Sequence, residues 1–143
     1  MVLRLVLGEE VVTVVCAYAP QVGLGDQEKR DFWDCLDGVV RAIPREERIF
    51  IGGDFNGHIG RHSDGFSEVH GGFGFGDRNN PGRDLLEFAV AHNLGILNSF
   101  FKKRESQRSK VVEGLQGYTR GDSSDSTPFI GGGYSHERKA DQG

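Results

Sequence analysis

The chain has little cysteine, little proline, a single tryptophan, and no positive charge balance. Its two cysteines among 143 residues form neither a metal-ligand spacing nor a disulfide framework. Cys16 lies in an apolar run and Cys35 in a helical pattern, so both read as buried thiols of a reducing compartment. No apolar stretch approaches the roughly 20 residues that span a bilayer. The opening "MVLRLVLGEE" lacks a cleavage-site pattern, so no signal peptide is expected. An intracellular protein, nuclear or cytoplasmic and without a membrane partner, is the expectation. A net charge of -4 and a pI near 5.7 give no general attraction to nucleic acid. A locally basic or metal-bearing site can still bind phosphate in an acidic protein, so DNA is not excluded.

Glycine is abundant. The 22 glycines gather at residues 52–82 and again after 113, leaving the core-forming sequence in residues 1–51 and 84–101. A chain of this length suits one compact domain, which buries roughly two thirds of its unfolded surface. No internal repeat is present.

Two strands come first. "VLRLVL" and "EVVTVVCAYAP" are rich in β-branched residues and are separated by Gly8-Glu9, which suits a tight hairpin. The second run is apolar at successive positions, as in a strand covered on both faces, and Pro20 ends it. "DQEKRDFWDCLDGVVRAIP" then sets Phe32, Trp33, Leu36, Val39, Val40 and Ile43 on one helical stripe, with Asp26 as N-cap and Pro44 as stop. The Phe32–Trp33 pair reads as core. "RIFIGGD" is a third strand, and strand–helix–strand order implies a parallel crossover with helices packed on a sheet. A long polar, glycine-rich loop covers residues 57–82; such loops are functional or disordered. "GRDLLEFAVAHNL" is a second amphipathic helix and "GILNSFF" a short strand. The basic run "KKRESQRSK" reads as a solvated turn. Residues 107–143 are Gly/Ser-rich and read as a poorly packed tail.

The stretch "IFIGGDFNGHIG", Ile49 to Gly60, ends an apolar strand on a carboxylate and places an amide two residues later. Tyr18 ends the preceding strand. Carboxyl ends of strands form the usual ligand crevice of α/β sheets. A phenol, a carboxylate and an amide there can orient water and hold a phosphoryl oxygen. Taken alone, Asp54-Phe55-Asn56-Gly57 reads as a turn rather than a site, because Asp, Asn and Gly all favour one. An EF-hand loop from Asp54 fails, since Ile59 and Gly65 stand where glycine and an acid are required. "HGGFGFGDRN" lacks the dinucleotide-binding glycine spacing. His58, His62 and His70 match no common zinc spacing and read as surface-loop histidines.

"VCAYAP" followed by "IFIGGDFNGHIG" resembles the endonuclease/exonuclease/phosphatase superfamily, whose signatures are Y-x-P and G-D-x-N strand ends. They stand here as Tyr18-Ala19-Pro20 and Gly53-Asp54-Phe55-Asn56. "YAPQVGLGDQEKRDFWDCLDGVV", "HGGFGFGDRN" and "LLEFAVAHNLGILNSFFKKRES" further resemble endonuclease domains of RTE-type non-LTR retrotransposons and proteins of the craniofacial development protein 2 type. The agreement runs collinearly from about Val11 to Ser106.

The resemblance implies an α/β fold, a partial α/β sandwich of the DNase I-like type: a mixed sheet with helices packed on it, over residues 1–106. It implies Mg2+-dependent phosphodiester cleavage, with Mn2+ as a substitute ion and DNA as the ancestral substrate. Tyr18, Asp54 and Asn56 become the catalytic candidates: Asp54 orients the attacking water, Tyr18 and Asn56 contact phosphate, and Asp54 and Asn56 approach the metal. Asn98 becomes a supporting residue. The family's metal-binding glutamate and an early asparagine belong upstream of the Y-x-P strand, and its final Asp-His pair has no counterpart in "YSHERKADQG". Truncation at both ends, and an inactive chain, are therefore expected. A silent binding or relic protein, and a phosphatase of the same fold, are the alternatives.

Overall fold

The computed structural model describes residues 1–102 and, as backbone, 115–120. The bulk of the expected tail lies outside the described residues. Strand β1 (Val2–Leu7) turns at Gly8-Glu9 into β2 (Glu10–Tyr18). Gly8 has φ +64, the left-handed conformation that a two-residue hairpin with glycine first requires. Helix α1 (Asp26–Ala42) leads to β3 (Arg48–Asp54), and helix α2 (Asn80–His92) leads to β4 (Leu94–Ile96) and a 3-10 turn over Leu97–Ser99. Strand β5 (Leu115–Arg120) completes a five-stranded mixed sheet of order β1-β2-β3-β5-β4.

The β2–α1–β3 unit is parallel and places Val15 beside Ile51 and Tyr18 beside Asp54. β5 lies antiparallel between β3 and β4. Composition assigned these six residues to the tail; here they hold an interior position in the sheet. Phe50 to Asp54 pair with Thr119 to Leu115, and Leu94 to Ile96 pair with Arg120 to Tyr118 on the other side.

Both helices pack on one face. Thr13, Val15, Ile49 and Ile51 are buried beneath Leu36 and Val40 of α1 and Leu85, Leu86 and Ala89 of α2. The helices meet where Trp33 contacts Phe88, ring centroids 5.1 Å apart. Farther along, Asp37 accepts from Arg41 at 2.7 Å and from the His92 ring at 2.8 Å. Beneath β1 and β2, Glu47 is buried and accepts from Arg4 and from Thr13 Oγ1 at 2.8 Å. Arg4 first, and Thr13 next, hold the Glu47 carboxyl below the usual carboxylate range.

Three expectations need correction. β2 is covered on one face only among the described residues: Thr13 and Val15 are buried, whereas Cys16 and Tyr18 on the other face are exposed. Cys16 and Cys35 are therefore both exposed, because strand alternation and the helical period turn them from the core. Finally, Gly25 rather than Asp26 is the N-cap of α1, and Asp26 lies within the first turn, where its charge favours the helix dipole.

Candidate phosphate-binding rim at the carboxyl ends of β2 and β3

Alternation along "GGDFNG" sorts its side chains. Phe55 is buried, with its ring 6.3 Å from those of Phe32 and Trp33. Anchoring this one ring in the core turns its neighbours Asp54 and Asn56 toward the rim. Asp54 is the register partner of Tyr18, and the ladder continues one rung further, where the Ala19 N–H donates to the Asp54 carbonyl at 2.8 Å.

Asn56 joins the two strand ends. Its N–H donates to Asp54 Oδ1 at 2.9 Å, and its Nδ2 donates to the Ala19 carbonyl at 2.8 Å. Its φ of 47 is left-handed, a conformation that Asn tolerates better than most residues. The local turn that the four residues suggest is therefore present, and it fixes the Asp54 carboxylate. Tyr18 stands 76% exposed on the face away from the helices. Thus Tyr18, Asp54 and Asn56 are brought to one rim. Asn98 lies at the same end of the sheet, in the turn after β4, whose Ile96 aligns through Tyr118 with Ile51 of β3.

The loop from Gly57 to Asn79 is organised by two side chains whose roles the sequence did not reveal. The Arg78 guanidinium donates to the carbonyls of Ile59, His62 and Asp64 at 2.9 Å, 2.9 Å and 3.0 Å, and lies 4.9 Å over the Phe66 ring. His70, expected at the surface, is buried: Nε2 donates to the Gly60 carbonyl at 2.9 Å and Nδ1 accepts from the Gly72 N–H at 2.9 Å. Burial pushes the His70 pKa down. His58 and His62 are exposed. The loop docks on the sheet through Ser99, whose Oγ accepts from the Gly71 N–H at 3.0 Å. Asn79 Oδ1 caps α2 by accepting from Gly82 and also accepts from His58, which ties the loop to that helix. A run of backbone carbonyls curling toward one arginine was the missed signal; nothing in the spacing of the loop marks it.

Among the described residues no three His, Cys, Asp or Glu side chains gather as metal ligands. Asp54 brings a carboxylate to the rim, and magnesium sites commonly use one or two carboxylates with substrate phosphates and waters. The described donor set does not by itself make a metal site. Among the described residues, no helix is long and apolar enough to cross a membrane.

No family model matches the chain. It is similar to craniofacial development protein 2 of Bos taurus, 33% identical over 92 residues, which cover 64% of this chain and 15% of that protein. Craniofacial development protein 2 of Tragulus javanicus is 30% identical over 92 residues, 64% of this chain and 16% of that protein. The matched segment is thus a small fraction of the length of either relative.

Proposed function

We propose that the chain is a portion of a DNase I-like phosphodiesterase, ancestrally a DNA-nicking endonuclease of retrotransposon type, and that it is inactive by itself. The observation that carries this reading is the pairing of Tyr18 with Asp54 at the ends of two parallel strands, locked by Asn56. A fixed carboxylate beside a phosphate can take a proton from an attacking water. A phenol and an amide at the same rim suit the phosphate oxygens. In this reading the Asn56 backbone N–H positions Asp54, the Nδ2 bond to the Ala19 carbonyl holds the side chain, and the second Nδ2 hydrogen would meet a phosphate oxygen. The divalent ion would neutralise charge on the reacting phosphate and would draw on Asp54 and Asn56. Further donors must come from outside the described residues.

Loss of one member of such a constellation commonly costs about a hundredfold or more in rate, and members that act together do not fail independently. The purified chain with magnesium should therefore nick supercoiled plasmid no faster than its Asp54→Ala variant. A magnesium-dependent difference between them would mean that the chain completes a working site. The phosphate-binding part of the reading is separately measurable. Titration of a thymidine dinucleotide with magnesium should shift the backbone amides of Tyr18, Ala19 and residues 54–58. Shifts confined to other regions, or none, would remove the assignment.

A further inference from the structure

The loop between β3 and α2 contains a strap whose closure depends on one uncharged ring. Residues 71–77, GGFGFGD, carry four glycines and no regular secondary structure. The strap is fixed at both ends. Before it, Val69 is buried and its carbonyl accepts from the Ile96 N–H at 2.9 Å. After it, Arg78 is held by the three carbonyls of Ile59, His62 and Asp64.

Between these anchors the strap lies against the His70 ring. A Cβ at Gly74 would collide with the Gly60 carbonyl and stand 3.1 Å from His70 Nε2. Gly71 and Phe73 donate to the side chain and the carbonyl of Ser99, the residue after Asn98, at 3.0 Å and 2.9 Å. Gly74 donates to the Arg61 carbonyl at 3.2 Å. The Gly72 N–H donates to His70 Nδ1 at 2.9 Å. Of these acceptors, the imidazole nitrogen alone takes up a proton near neutral pH.

We propose that His70 is a proton switch for this strap: with Nδ1 protonated, residues 71–77 leave the loop while the sheet and both helices stay folded. Nδ1 accepts from Gly72 because the ring hydrogen sits on Nε2, where it is donated to the Gly60 carbonyl. A second proton keeps that bond and sets N–H against N–H at Gly72. The ring is 1% exposed and has no room to turn away. Gly72 can turn: its φ is +88 and nothing lies within 4 Å of an added Cβ. Phe73 is already 45% exposed, so release of the strap gives up little apolar burial. Burial is the largest obstacle to protonating the closed ring; Arg78 adds to it and Asp64 opposes it. The loop's other titratable side chains, His58, Arg61, His62, Glu68 and Asp77, are exposed. Leu94 to Ser99, on which the strap docks, include no titratable side chain.

The test is amide exchange of the full chain between pH 7 and pH 5, corrected for the intrinsic chemical rate, with urea added in small steps. The opened ring regains an ordinary histidine pKa, whereas the closed ring is depressed, so acid favours the open strap. Opening at Gly72, Phe73 and Gly74 should rise about tenfold per pH unit below about 6.5. It should ignore urea, because a local opening exposes little surface, while amides of β3 and α2 respond to it. His70→Gln cannot take up the proton and should make strap opening independent of pH. The wild-type series decides even where that variant fails to fold. Strap amides that share the urea dependence of β3 and α2 overturn the proposal. So does opening no greater at pH 5 than at pH 7, or acid opening that persists in His70→Gln.

Discussion

A Cβ placed on Gly53 would stand 1.7 Å from the carbonyl oxygen of Ala17 on the neighbouring strand. Gly53 also has φ +149, so close approach and backbone conformation both require glycine one residue before the rim carboxylate. This is the physical reason that an apolar strand turns to glycine before Asp54. Gly53→Ala should cost about 3 kcal/mol or more by urea unfolding, since a backbone atom cannot move aside as a side chain can. Gly38→Ala makes the opposite prediction. Gly38 lies within α1 with nothing within 4 Å of an added Cβ, so the variant should gain about 0.5–1 kcal/mol from helix propensity. Equal signs for the two variants would contradict the geometry.

The second prediction concerns the loop. Arg78 reaches three carbonyls and the Phe66 ring, whereas a lysine ammonium is a point charge with no planar fork. Arg78→Lys should retain one or two of the carbonyl bonds, and Arg78→Ala none, at a cost of about 2 kcal/mol for the latter. Limited proteolysis should then cut within residues 61–76 before any cut in α1. Unchanged cleavage in Arg78→Ala would show that other contacts hold the loop.

The third concerns pH. His70 donates from Nε2 and accepts at Nδ1; protonating Nδ1 would point its hydrogen at the Gly72 N–H. The folded pKa is depressed, with burial the largest cause, so the unfolded chain binds the proton first. Stability from this residue is therefore lost as pH falls through the unfolded histidine value of about 6.5. Glu47, also depressed but as a carboxylate, contributes stability above the ordinary Glu range and loses it at lower pH. Thermal unfolding should show two acid-sensitive windows, and His70→Gln should flatten the upper one alone.

Much of this fold was legible where local pattern and tertiary role coincide. The stripe in α1, the β-branched run of β2 and the Asp54 strand end all carry periodicity that burial then uses. β5 was not legible, because Leu115–Arg120 carries one β-branched residue and an internal glycine and sits in a Gly- and Ser-rich stretch. Nor were the roles of His70 and Arg78, since a side chain that collects carbonyls leaves no spacing behind. The exposure of Cys16 was missed for a related reason: an apolar run does not say which of its faces is covered. At the rim, Tyr18 and Asp54 were readable as two strand ends, but the link between them through Asn56 to Ala19 depends on a left-handed residue that sequence only permits.

That link yields the last prediction. Asn56 contributes two separable things: a left-handed backbone and a side-chain bond to Ala19. Asn56→Gly keeps the first and loses the second, so it should cost about 1 kcal/mol, the worth of one hydrogen bond. Asn56→Ala loses both and should cost about 1–2 kcal/mol beyond the glycine variant, the penalty of left-handed backbone in a residue with Cβ. Asn56→Asp tolerates the backbone but has no donor for the Ala19 carbonyl, and it sets a second carboxylate beside Asp54. Like charge at that distance raises carboxylate pKa values, so this variant should be stabilised by acid where the wild type is not. Measured by urea unfolding at neutral and mildly acidic pH, the order should be wild type, Gly, then Ala. An alanine variant as stable as the glycine one would mean that the residue at position 56 leaves the left-handed region in solution. The clamp between the two strand ends would then not be the one described.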